Sequence, residues 1–120
     1  MLAEHNGEIL IVTGWLTMGA IAAFLLPATI LKVVFGVVAP DAGTRFIARH
    51  WGLLVFLVGA LLVYAGRHPE VRVPVMAAAT EKLVGSGMVL AGPLRRRAAA
   101  LAIVAADSLM GMLYLMLLLS

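Results

Sequence analysis

The sequence predicts an all-α integral membrane protein, a bundle of four transmembrane helices, and three observations lead to this prediction. First, 63% of the residues are hydrophobic and 12% are charged, whereas soluble domains are roughly 45 to 50% apolar and about 25% charged. Second, the apolar residues fall into four stretches, each close to the ~20 residues that cross a hydrocarbon core. Third, only short polar breaks separate the stretches, so residues 1–120 form a single transmembrane domain.

The first predicted span covers residues 9–38 and is longer than one bilayer crossing requires. Proline lacks the amide proton and its ring crowds the preceding turn, so we expect this helix to kink near Pro27. The part after the kink should bend toward the membrane interface. There Lys32 can extend its ammonium group to the lipid headgroups.

The other three spans are predicted at residues 46–65, 73–90 and 98–119. Polar breaks rich in glycine and proline separate them, as is typical of exposed connections. Pro74 lies in the first turn of the third span, where a missing amide proton leaves no hydrogen bond unmade.

Basic residues are concentrated on one side of the predicted membrane. The connections after the first and third spans hold Arg45, Arg49 and residues 95–97, whereas the opposite side holds Arg67 and Arg72. Lys and Arg collect in the cytoplasmic flanks of membrane helices. We therefore expect a multi-pass protein of the cell (inner) membrane with both termini outside the cytoplasm.

Composition excludes several classes of function. The chain has no cysteine, so disulfides, thiolate metal sites and iron–sulfur clusters are excluded. The net charge of +3 is small and scattered, which argues against a nucleic-acid partner. His5, Glu8 and His68 include metal-ligand types without a diagnostic spacing, so no metal site is predicted. The expected surroundings are membrane lipids.

Small residues predict how the helices pack, because helices in lipid associate through close backbone approach and polar contacts. Gly52, Gly59 and Gly66 recur every seven residues on the second span and predict a packing groove. Gly7 and Gly14 repeat this spacing on the first span. Two further packing stripes are Ala77, Glu81 and Gly85 on the third span, and Ala100, Val104, Asp107, Gly111 and Tyr114 on the fourth.

Glu81, Lys82 and Asp107 are ionisable residues near the middle of the third and fourth spans. Inserting such a residue costs about 2.5 to 3.5 kcal/mol, so each should have a partner inside the bundle. One interpretation is an ion pair of Lys82 with Asp107 or Glu81 that fixes the helix register. The alternative makes the three residues catalytic candidates for an acid/base site or proton relay. In either case one carboxylate remains, either protonated or bound to Arg49.

A second group of polar residues lies at the start of the second span. Arg45 and Arg49 are one turn apart and share a helix face; interfacial Arg and Trp usually anchor a helix at the headgroups. Arg49 and His50 lie deeper and can bind an anionic headgroup, a quinone-like carbonyl or a haem propionate, and His50 can also ligate haem iron. The ligand-binding candidates are Arg49, His50, Trp51 and Tyr114, with haem as the candidate cofactor.

Short motifs run through the first two spans: LPAT at residues 26–29, VFG at 34–36 and FIARHWG at 46–52, followed by Gly59. They resemble the small bacterial DoxX-like membrane proteins of four helices, over roughly half the chain. The resemblance implies the fold and, since some members of the wider group are accessory subunits of membrane oxidoreductases, an accessory role. The run RHWG at 49–52 also resembles the haem-ligating R-x-H-x-G pattern of styrene oxide isomerase, but lacks the residue between Arg and His.

Two functions are favoured by these residues over a third, a transporter or channel, for which an oligomer would have to supply the pore. The first is a non-catalytic or accessory membrane component, a homo-oligomer or a subunit of a larger complex, whose buried charges specify packing. The alternative is a small membrane enzyme, isomerase-like or redox-linked, that acts on a lipid-soluble small molecule. The enzyme hypothesis predicts a cavity beside Glu81, near the middle of the bilayer and open to the lipid.

Overall fold

The computed structural model describes residues 5–92 and 96–119. In this part of the chain all regular elements are helical, and four helices are long and apolar enough to cross a membrane. The predicted all-α, membrane-type bundle is therefore confirmed. The elements are α1 (Asn6–Met18), α2 (Ile21–Leu25), α3 (Pro27–Ile30), a π-helical turn (Leu31–Phe35), α4 (Ala42–Arg67), α5 (Val73–Ala91) and α6 (Ala98–Leu119).

The first span is broken in two places. Between α1 and α2 the chain tightens into a turn, in which Gly19 N–H donates to the Leu16 carbonyl at 3.1 Å and Ala20 N–H to the Thr17 carbonyl at 3.1 Å. The second break falls at Leu26, whose φ of −132° and ψ of 62° are not helical, because a following proline disfavours the helical region. The kink predicted near Pro27 is confirmed, and the first break is an additional finding.

The π-helical turn ends at Phe35, whereas the sequence predicted a helix as far as residue 38. Gly36 has a φ of 73°, in the left-handed region that favours glycine. This conformation lets the Val37 N–H donate to the Leu31 carbonyl at 3.0 Å, a closure typical of helix C-termini. The chain then leaves the helix axis and runs to the start of α4.

α4 is about one turn longer at its start than the predicted span of residues 46–65. It begins at Ala42 because Asp41 caps the helix, its carboxylate accepting a hydrogen bond from the Thr44 N–H at 2.7 Å. This hydrogen bond holds the pKa of Asp41 below its ordinary value. At the other end α4 continues to Arg67, while α5 and α6 have nearly the predicted bounds.

The predicted glycines bring the first span and α4 into backbone contact. A Cβ atom on Gly59 would lie 2.6 Å from the Gly14 carbonyl oxygen, and one on Gly66 would lie 2.8 Å from the Gly7 carbonyl oxygen. Gly52 meets the backbone at the start of α2 in the same way, at 2.7 Å. The packing groove predicted from the seven-residue repeat is thus confirmed, and the helices run antiparallel along it.

The stripe predicted for the fourth span is confirmed for the small residues and Tyr114, which are buried along α6. The stripe predicted for the third span is wrong within the single chain. Ala77 is exposed, and a Cβ on Gly85 would meet nothing within 4 Å. The buried face of α5 lies about one residue further round, through Ala78, Lys82 and Ser86.

All four spans contribute to one core. Its buried members are Leu10 from α1, Leu62 and Ala65 from α4, Val75, Ala78 and Ala79 from α5, and Tyr114 and Leu117 from α6.

Candidate functional site

An ion pair joins α5 to α6. The Lys82 ammonium nitrogen lies 3.1 Å from a carboxylate oxygen of Asp107, and the Lys82 side chain is 2% exposed while that of Asp107 is 28% exposed. Of the two partners predicted for Lys82, the structure selects Asp107. Glu81 precedes Lys82 directly, and successive residues of a helix do not face each other.

Glu81 lies beside this pair without joining it. One of its carboxyl oxygens is buried and has no hydrogen-bond partner among the described residues. The carboxyl group is still close enough to Lys82 and Asp107 to interact with both charges. The other predicted partner, Arg49, instead places its guanidinium 4.8 Å from the centre of the Phe24 ring. The structure therefore pairs two of the three catalytic candidates, and the third, Glu81, forms no ion pair with a described residue.

A cavity of about 360 Å³ opens beside the ion pair, with Lys82 and Asp107 in its wall. Most of the remaining lining is apolar and comes from the first span, α4 and α6, so Lys82 is the one contribution of α5 among the described residues. Gly19 and Ala20, at the break in the first span, are also part of the wall. The enzyme hypothesis predicted a cavity beside Glu81, but Glu81 is not among the lining residues.

Hydroxyl groups extend the polar region away from the ion pair. Thr13 and Thr17 are buried on α1, and each donates to a carbonyl one turn earlier, at 2.6 Å and 2.8 Å. The Tyr114 hydroxyl lies close enough to both threonines to interact with them, although it has no well-formed hydrogen bond with a described residue. The Ser86 hydroxyl is also buried without a partner among the described residues. The i, i+4 spacing of Thr13 and Thr17 is the sequence feature from which this group of buried hydroxyls could have been predicted.

The second site is a cationic pocket of about 440 Å³ at the start of α4. Arg45, Arg49 and His50 line it together with Phe24 and Phe46. The His50 and Phe46 rings stack with their centres 6.2 Å apart. The predicted shared face of the two arginines therefore exists, and His50 reaches the same pocket.

The four ligand-binding candidates do not form one site. Arg49 and His50 line the cationic pocket. Trp51 packs edge-on against Phe35, with ring centres 6.0 Å apart, and lines the cavity beside the Lys82–Asp107 pair instead. Tyr114 is fully buried in the core among the spans. The sequence grouped these four residues as one binding site, whereas the structure places them in three separate environments.

The sequence placed Arg97 only among the basic residues 95–97 of the third connection, and the structure shows that it caps the π-helical turn. Its guanidinium donates to the Val34 carbonyl at 3.0 Å and to the Val33 carbonyl at 3.3 Å, a favourable place for a cation at a helix C-terminus. Lys32 and Arg45 line one further pocket, so these basic residues share one end of the bundle. Arg95, counted at the same end in the sequence, lies outside the described residues.

Metal-ligand side chains do not cluster among the described residues, and His50 does not lie in a haem pocket. No group of three His, Cys, Asp or Glu side chains there is arranged to hold a metal ion. His50 is the one iron-ligating side chain lining its pocket in the described ranges. His50 is exposed, whereas a haem ligand lies in an enclosed pocket that controls access to the iron. These residues do not fit a haem, so no haem chemistry is assigned to them.

Comparisons with protein-family models, with curated proteins and with solved structures find no match to this chain.

Proposed function

We propose that this protein is a non-catalytic component of the inner membrane, DoxX-like in type, that assembles with copies of itself or with a larger membrane complex. The observation that carries the proposal is the partly buried Lys82–Asp107 pair at 3.1 Å between α5 and α6. Each charge has its opposite on the facing helix. The pair is therefore suited to fixing how these helices align rather than to reacting with a substrate.

The energetic reason is the cost of an unpaired charge in lipid. Sliding α5 along α6 by one helical turn moves the partners apart by about 5.4 Å, which leaves both charges without a partner where polar groups are costly to insert. A buried ion pair adds little net stability over apolar residues, but breaking it is strongly unfavourable. Such a pair selects one register among several that apolar packing alone would permit.

An open face of α5 supports assembly with another helix. Ala77 is exposed, and Gly85, on the same face of the helix, has room for a side chain. Small residues at one face are the feature through which membrane helices approach closely. The stripe predicted as an internal contact is thus available for a second copy or a larger subunit.

The expected orientation accompanies this proposal. Lys32, Arg45, Arg49 and Arg97 are brought to one end of the bundle. That end faces the cytoplasm under the positive-inside rule, which places both termini on the other side.

The test compares single and paired replacements at the ion pair. Lys82→Met and Asp107→Leu alone should each reduce the folded fraction and the assembly seen by native mass spectrometry. The double variant, and the charge-swapped variant Lys82→Asp with Asp107→Lys, should recover most of both. If the double variant assembles no better than either single variant, the register role is wrong.

A second candidate function rests on the cavity beside the pair. Its volume of about 360 Å³ and largely apolar lining suit a lipid-soluble small molecule, on which a small membrane enzyme of isomerase-like or redox-linked type would act. Ala106→Phe fills this cavity, and Ala105→Phe is the matched control because Ala105 is exposed outside it. An enzyme should lose a co-purifying small molecule in the first variant alone. An accessory protein should carry no such molecule at fixed stoichiometry.

A further inference from the structure

We infer that the cationic pocket at the start of α4 binds the phosphate of an anionic phospholipid. This site is separate from the Lys82–Asp107 pair, and the inference does not depend on the proposed function. It rests on the charge of the pocket, on the way one arginine is held, and on its apolar walls.

The charge of the pocket is not neutralised by the protein. Arg45 and Arg49 both line it, and neither has a carboxylate within ion-pair distance among residues 5–92 and 96–119. Asp41 is the nearby acid and interacts with Arg45, but its carboxylate is engaged by the Thr44 N–H. Two guanidinium groups facing one space favour an anion there, and guanidinium matches phosphate geometry through paired N–H donors.

Arg49 is held in place rather than extended freely into the headgroups. Its guanidinium lies over the Phe24 ring, 4.8 Å from the ring centre, an arrangement that stabilises a cation against an aromatic face. The stacking limits rotation of the side chain, so less conformational freedom is lost when it binds a ligand. An arginine that only anchors a helix at the interface needs no such support.

The walls of the pocket distinguish a lipid from a soluble phosphate compound. Phe24, Phe46 and Leu53 form its apolar side, and Phe46 is largely exposed on the outer surface of the bundle. A phospholipid can place its phosphate at the two arginines while its acyl chains run along this surface. The adjoining pocket shares Arg45 and adds Lys32, which increases the positive potential. Basic pockets between membrane helices are known to accept lipid headgroups in this way.

The experiment titrates the full-length protein in mild detergent with phosphatidylglycerol and with phosphatidylcholine of the same acyl chains, and counts bound lipids by native mass spectrometry. We expect one phosphatidylglycerol to bind per protomer more tightly than phosphatidylcholine. In the Arg45→Gln, Arg49→Gln double variant this affinity should fall by roughly 30-fold, since each basic residue near an anionic surface contributes about fivefold. Arg67→Gln, an arginine at the opposite end of the bundle, is the matched control and should bind like the unmodified protein.

Further variants and a competition experiment distinguish the possible causes of a change in lipid affinity. Arg45→Gln alone leaves the Arg49–Phe24 contact intact, so its loss of affinity is interpretable even if the double variant unfolds. Arg49→Lys retains the charge but not the planar stack, and should bind more weakly than the unmodified protein. Equal binding of both lipids, or an equal loss in Arg67→Gln, would overturn the site. Displacement of the lipid by inorganic phosphate at a similar concentration would assign the pocket to a soluble phosphate compound and overturn the lipid.

Discussion

α1 and α4 meet through their backbones, whereas α5 and α6 meet through their side chains. In the first interface Gly59 and Gly66 face Gly14 and Gly7, with no space for a Cβ atom. In the second, the central contact is the ion pair between Lys82 and Asp107. Both solutions serve helices that gain nothing by burying leucine in lipid. They differ in what can move: the backbone of a helix cannot yield to an added atom, but a side chain can change rotamer.

The largest effect is expected for Gly59→Ala, which tests the backbone contact directly. The added Cβ would lie 2.6 Å from the Gly14 carbonyl oxygen and 2.7 Å from the Met18 amide nitrogen. Neither atom can shift without displacing its helix, so we expect a loss of about 3 kcal/mol in the free energy of unfolding. The measurement is reversible unfolding in mixed micelles.

The matched control for that variant is Gly85→Ala on α5, where a Cβ meets nothing within 4 Å. Replacing a helical glycine by alanine at an open position should be neutral or stabilising by up to about 1 kcal/mol. Equal losses at the two positions would mean that the close backbone contact of α1 and α4 is not the cause of the loss in Gly59→Ala. The proposed difference between the backbone contact of α1 with α4 and the side-chain contact of α5 with α6 would then be wrong.

The glycine interface was predictable because its signal is local and periodic. Residues seven apart lie near one helix face whatever the rest of the chain does, so Gly52, Gly59 and Gly66 indicated a groove before any partner was known. The same reasoning misplaced the predicted stripe on α5 by about one residue. Ala77 and Gly85 are also small, and their spacing does not indicate which small residues face the interior of the bundle. Burial of Lys82 decided that face.

Lys82→Met should have the next largest effect and tests the side-chain interface. The substitution leaves Asp107 without its partner, and we expect a loss of about 2 kcal/mol in the free energy of unfolding, less than for a fully buried soluble pair because Asp107 is 28% exposed. Adding Asp107→Leu should recover most of the lost free energy of unfolding. The double-mutant cycle measures the coupling between the two residues, and additive losses would show that the ion pair contributes no specific contact.

Gly111→Ala should have a smaller effect than Gly59→Ala, although both glycines are buried in interfaces. Here the added Cβ would lie 2.8 Å from side-chain carbons of Leu83, which can move to another rotamer. We expect a loss of about 1 kcal/mol, offset in part by the better helix propensity of alanine. Unfolding of Gly111→Ala and Gly59→Ala, measured under the same conditions, gives the ratio of the two losses in free energy. A cost as large as that of Gly59→Ala would show that α5–α6 is as rigid as α1–α4.

The cavity and the cationic pocket were only partly predictable. Arg49 and His50 were found because charged residues at the start of a span stand out in the sequence. The break at Gly19 and Ala20, which forms part of the wall of the cavity beside the ion pair, carries no proline and depends on packing against α4. The capping role of Arg97 likewise requires the position of the π-helical turn, which lies more than sixty residues earlier in the chain.

Tyr114→Phe should have the smallest effect, and it tests whether the two interfaces are joined by a polar contact. The Tyr114 hydroxyl is buried near Thr13 and Thr17 of α1 but has no well-formed hydrogen bond with a described residue. Removing a buried hydroxyl that has no well-formed hydrogen bond should change the free energy of unfolding by less than about 0.5 kcal/mol, or stabilise the protein slightly. Tyr114→Leu removes the ring as well and should cost roughly 2 kcal/mol, which shows that the assay detects changes at this position. A loss above about 1 kcal/mol for Tyr114→Phe would mean that the hydroxyl binds a threonine of α1. The glycine-packed and charge-paired halves would then share a polar contact in addition to their common apolar core.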